Sequence, residues 1–116
     1  MINPKNINYR ISIESECAPI AGNALDSGDP ETDRKYEKSL LRAVRNGRQW
    51  SWCQVTVTAE LLDGFDVVLS ASTYLGCCSY GSEHDFRNCD YYADMKTEVL
   101  EELEAKVASV LKCLTT

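Results

Sequence analysis

From Trp50 to Ala59 the chain reads Trp-Ser-Trp-Cys-Gln-Val-Thr-Val-Thr-Ala, a run of β-branched and aromatic residues in strict alternation. That pattern predicts a strand, and a strand turns successive side chains to opposite faces. Ser51, Cys53, Val55, Val57 and Ala59 then line one face, suited to a core. Trp50, Trp52, Gln54, Thr56 and Thr58 line the other, with the two indoles together at one end. Whatever the rest of the chain does, it must cover the first face and account for the indoles. Two outcomes are open for Trp50 and Trp52: a stacking or protein-binding platform, or a second small core roofed by residues 17–29.

The flanking segments supply the cover. Ile7, Tyr9, Ile11 and Ile13 alternate with Asn8, Arg10, Ser12 and Glu14, predicting a half-buried strand. An irregular stretch follows, containing Gly-Asn-Ala-Leu-Asp-Ser-Gly-Asp at 22–29. Asp29 as N-cap, Pro30 at the first position and Glu31 and Asp33 in the first turn predict a helix to Asn46, stopped at Gly47. Its buried stripe is Tyr36, Leu40, Ala43 and Val44, with Arg34, Lys38, Arg42 and Arg45 opposite. After the Trp50–Ala59 strand, Asp63-Gly64 predicts a hairpin turn, with a return strand over 67–72. Residues 73–89 read as a second irregular stretch in which Ser82 and Asp85 cap a short helical turn that buries Phe86. A last helix starts at Asn88 or Asp90 and reaches about Leu114, on a stripe of Tyr92, Met95, Val99, Leu103, Val107, Val110 and Leu114. The expected fold is a single α+β domain over 1–116, ordered β-α-β-β-α: a three-stranded antiparallel sheet with two helices on one face.

Charge and cysteine content narrow the function classes. Twelve basic against eighteen acidic residues leave a net charge of −6, which disfavours non-specific binding of nucleic acid. The first residues lack the apolar core of a signal peptide and no apolar run spans a bilayer, so the expectation is a soluble cytoplasmic protein without membrane association. Its six cysteines are then expected as thiols. No Cys-x-x-Cys occurs, and Cys77, Cys78, His84 and Cys89 lack the spacing of a closed metal site, so neither a metal nor a cofactor is expected. Cys78 with His84 is the one pair available for thiol catalysis, without an evident orienting group, so no catalytic residue is assigned.

The order GNALDSGD, a charged helix ending Asn46-Gly47, WSWCQVTVTA, YLGCCSY, Asp85-Phe86 and YYADMKTEVLEEL resembles small proteins encoded by tailed phages and prophages. There a GNALASGD-like loop, a Trp-x-Trp strand, an LG-x-CSY turn and a YY-x-DM helix start follow one another. The resemblance covers about residues 20–105 and excludes the N-terminal strand; Cys77 and Cys89 depart from it. It implies a phage or mobile-element origin and supplies no activity. With it, the leading expectation is an accessory protein that binds a host protein or complex, as anti-CRISPR and other anti-defence proteins do. Its partner-binding candidates are Arg34, Lys38, Arg42 and Arg45, and Glu98, Glu101 and Glu102 of the last helix, whose carboxylates can stand in for phosphates on a basic groove. The rival is a small-ligand or nucleotide module, possible also as a homodimer, in which Asn23, Asp26, Ser27 and Asp29 of the 22–29 loop and Tyr80 of the 75–80 turn flank a pocket at Trp50 and Trp52.

Overall fold

Three strands form the sheet of the computed structural model, which describes residues 2–115: β1 (Ile7–Ser15), β2 (Cys53–Asp63) and β3 (Asp66–Cys78), in the order β1-β2-β3. The helices are α1 (Pro30–Arg45), α2 (Glu83–Arg87) and α3 (Asp90–Thr115). The chain is an α+β protein with a three-stranded antiparallel sheet. Its residues cluster into two compact units, one of Met1–Ser12, Thr56–Thr73 and Asp90–Thr116, the other of Ile13–Val55 and Tyr74–Cys89.

In the first unit, Val57 and Ala59 of β2, Ala71 of β3 and Tyr92, Met95, Val99 and Leu103 of α3 are buried. Polar contacts fix the helix along the sheet. Thr73 Oγ1 donates to Glu98 Oε1 at 3.1 Å, and Lys106 Nζ donates to the Ser70 carbonyl at 2.8 Å. The helix number falls as the strand number rises, so α3 runs antiparallel to β3. Lys96 Nζ stands 4.8 Å from the Tyr9 ring centre and 5.3 Å from that of Tyr92, a cation–π arrangement. The opposite face of the sheet is polar. Thr58 and Ser72 share a 2.9 Å hydroxyl hydrogen bond, Asn8 Nδ2 donates to Glu60 at 3.0 Å, and Arg10 lies 3.9 Å from the same carboxylate. Asn8 and Arg10 are exposed on this face, whereas Thr58 is buried and satisfied by its Ser72 bond.

Two expectations for this unit are corrected. The hairpin turn is Gly64-Phe65 rather than Asp63-Gly64, because Asp63 still belongs to β2. Only the first central residue has a positive φ, 64° at Gly64, which is where a two-residue turn matching strand twist needs glycine. The stripe of α3 also stops contributing early. Val110 and Leu114 are exposed, as is Val67 near the hairpin end of β3.

In the second unit, Leu40, Trp52, Cys53, Val55, Cys78 and Phe86 are buried. The Asp29 cap forms as expected, accepting from the Glu31 N–H, and Arg45 is the last helical residue before Asn46. Of the expected stripe only Leu40 is buried; Tyr36 and Val44 keep more than a third of their surface in solvent. Residues 49–51 are a short 3-10 turn, so the strand begins at Cys53 and not at Trp50. The cause is the short run from the end of α1: the Arg48 N–H bonds back to the Ala43 carbonyl at 3.0 Å and Ser51 N–H to the Arg48 carbonyl at 3.1 Å. At the far end β3 continues through Cys78, so Leu75, Gly76, Cys77 and Cys78 are strand and not turn. Cys77 adopts φ 54°, and the burial alternation slips there: Cys77 is exposed and Cys78 buried. The positive φ at Cys77 breaks the extended geometry on which the alternation depends.

Candidate functional site

The indoles meet different fates. Trp52 is 8% exposed and its Nε1 donates to the Ala18 carbonyl at 2.9 Å, which ties it to the start of the 17–29 segment. Trp50 joins an aromatic cluster. Its ring lies 5.8 Å from that of Phe86, Tyr80 meets Phe86 edge-on at 5.2 Å, and the Tyr80 N–H donates to the Trp50 carbonyl at 2.8 Å. The structure thus brings Trp50 and Tyr80 together around Phe86, a hub whose only sequence signal was the capping pattern before it. Neither indole offers an open stacking surface on a sheet face. A cleft of about 540 Å³ does border Trp52, lined also by Ile13, Glu14, Val44 and Gln49. The 22–29 loop and the 75–80 segment do not line it.

The loop uses its polar groups on its own chain. Asn23 Nδ2 donates to the Pro19 carbonyl at 2.8 Å, and Ser27 donates to Asp33 through its N–H at 3.2 Å and its hydroxyl at 2.7 Å. The Gly22 N–H donates to Glu37 at 3.0 Å. Asp29 accepts from the Thr32 hydroxyl at 2.7 Å and the Glu31 N–H at 3.1 Å, and these bonds hold its carboxyl below the usual range. Asp26 borders a depression of about 410 Å³ with Leu25, Arg34 and Glu37. Loops rich in Asn, Asp and Ser stabilise themselves in this way.

Cys53 and Cys78 are buried and held as thiols. Cys78 Sγ donates to the Leu75 carbonyl at 3.2 Å, and burial pushes its pKa up to about 11. Burial, followed by the Glu16 carboxylate, raises Cys53 to about 11 as well. A nucleophilic cysteine needs the opposite shift. His84 is exposed and its Nε2 pairs with Asn88 Nδ2 at 3.1 Å, with no hydrogen bond to Cys78 among the described residues. Sequence reasoning missed Glu16 altogether. Its carboxylate accepts the Cys77 N–H and, at 3.4 Å, the Ala18 N–H, and the first of these chiefly lowers its pKa. A Cβ at Gly76 would stand 2.9 Å from the same carboxylate, so glycine makes room for this tie. Among the described residues no three His, Cys, Asp or Glu side chains converge to hold a metal ion.

Charge is sorted on the helices. Arg34, Lys38, Arg42 and Arg45 are exposed on one arc of α1, with Lys35 beside them. Asp33 and Glu37 turn instead to the loop, through the Ser27 and Gly22 bonds. On α3, Asp90, Asp94 and Glu101 are exposed on the arc away from the buried residues, with Glu98 at the edge of that arc nearest Thr73 and Glu102 beside it. None of the four cations forms an ion pair with another described residue.

Fold and site together give a small α+β protein in which Gly22, Asn23, Ser27 and Asp29 of the polar loop bond within their own chain and charged side chains of α1 and α3 are exposed. The chain matches no family model, no curated protein and no solved structure. Among the described residues no helix is long and apolar enough to cross a membrane.

Proposed function

We propose that this chain is a non-enzymatic accessory protein of a phage or prophage that binds and modulates a host cytoplasmic protein or complex, in the manner of anti-CRISPR and other anti-defence inhibitors. The observation that carries the reading is the acid row of α3. Asp90, Asp94, Glu98 and Glu101 line one arc of a helix held in place by Met95, Val99 and Leu103. A rise of about 1.5 Å per residue spreads the row over about 16 Å. A fixed row of carboxylates presents charge as a nucleic-acid strand does, and complementary potential steers it to a basic groove. The resemblance to phage proteins implies the phage or mobile-element origin that this reading assumes.

The test is an affinity pull-down of the tagged protein from host lysate, with nuclease treatment and mass spectrometry. One stoichiometric host protein is expected to be retained, and lost with Glu98→Lys/Glu101→Lys in a folded variant. Retention of no protein, or of the same protein by the reversed variant, counts against the reading.

A second reading, a small-ligand module, rests on the cleft beside Trp52. Glu14 is the charged residue among its lining side chains, so a phosphate-bearing nucleotide is a poor fit and a neutral or cationic amphipathic molecule a better one. Native mass spectrometry of freshly purified protein, showing a retained mass that Trp52→Ala removes, would favour it.

A further inference from the structure

The two charged rows share one spacing. Cations fall at 34, 38, 42 and 45; carboxylates fall at 90, 94, 98 and 101. Both follow steps of four, four and three residues. On a helix these steps keep all four side chains within an arc of about 80° and place them at about 0, 6, 12 and 16 Å along the axis. We propose that the cationic face of α1 docks on the acidic face of α3 in a second copy of this chain.

The occupant is argued from charge complementarity. In a chain of net charge −6, the α1 row is a concentrated positive face whose cations lack ion-pair partners among the described residues. The α3 row has the opposite sign and the same axial intervals, so two helices laid side by side bring each cation to a carboxylate. Glu98 is already oriented by the Thr73 hydroxyl. Each face also carries a solvent-exposed large side chain beside its charges, Leu41 on α1 and Tyr91 on α3, which gives the contact apolar area to bury. Single exposed ion pairs contribute little; four in register, with that apolar contact, make a face specific for its complement. The α3 row is also the surface assigned above to a host partner, so self-association and host binding compete for it; purified protein reads the first without the second.

Sedimentation velocity across the micromolar range tests it with three proteins. The wild type is expected to associate, and to do so at least about tenfold more weakly when salt rises from low to physiological ionic strength, where exposed charges are screened. Lys38→Glu/Arg42→Glu and Asp94→Lys/Glu101→Lys are each expected to be monomeric, since like charges then face one another. All four positions are exposed, so circular dichroism should show both variants folded. Mixing the two variants restores association, because the reversed α1 of one meets the reversed α3 of the other. A wild type that stays monomeric at low salt overturns the proposal. So does association that survives either reversal, or a mixture that stays monomeric.

Discussion

Single residues decide where this chain departs from a plain alternating pattern. Trp52 lies just before the strand, yet it is buried, and its indole N–H is satisfied by the Ala18 carbonyl. Trp52→Phe keeps most of the apolar surface and leaves that carbonyl without its donor, so urea unfolding should show a loss of about 2 kcal/mol. Glu16 is the other such residue. Its folded pKa is depressed, chiefly by the Cys77 N–H, so it stabilises the protein above the unfolded carboxyl value of about 4.3. That contribution is lost as pH falls through the lower folded value. Glu16→Gln should therefore flatten the acid limb of a stability–pH profile and leave its slope unchanged near pH 8. An unaltered acid limb would show that the carboxylate is not linked to folding.

At the scale of elements, burial and not periodicity sets what a helix contributes. The apolar stripe of α3 continues to Leu114, but Leu103 is fully buried and Leu114 is 78% exposed. Leu103→Ala is expected to cost about 2–5 kcal/mol, the range for a leucine truncated in a packed core. Leu114→Ala should fall within about 0.5 kcal/mol of wild type. Equal effects in denaturant titrations would mean that the last turns are packed in solution. The same distinction explains α1, where one leucine is buried and the cationic arc is the more distinctive face.

For the molecule as a whole, the six cysteines give an inexpensive test of the arrangement. Cys53 and Cys78 are buried with pKa values pushed up to about 11, whereas Cys17 and Cys113 are exposed. Near neutral pH an alkylating reagent should label Cys17 and Cys113 in the native protein, and Cys53 and Cys78 only after denaturant is added, as counted by mass spectrometry. Rapid native labelling of Cys78 would reopen thiol chemistry at this residue.

The α+β class, three strands, the caps of α1 and the start of α3 were legible in the sequence, because each rests on local physics. Alternation sets a strand face, Asp29-Pro30 begins a helix and Gly47 ends one. The Ser82 cap and buried Phe86 were legible for the same reason. What pairs across long separations was not. The Trp50–Phe86–Tyr80 cluster, the tie from Glu16 to Cys77 and the continuation of β3 to Cys78 join residues whose spacing carries no local signal, and the bond from Trp52 to Ala18 decides between two outcomes the sequence left open. The candidate loop shows the division most plainly. Its Asn, Ser and Asp residues were visible as polar groups, but only tertiary structure shows those of Asn23, Ser27 and Asp29 bonded within their own chain. Sequence determines which groups a segment can offer; folding decides which of them find partners inside the molecule.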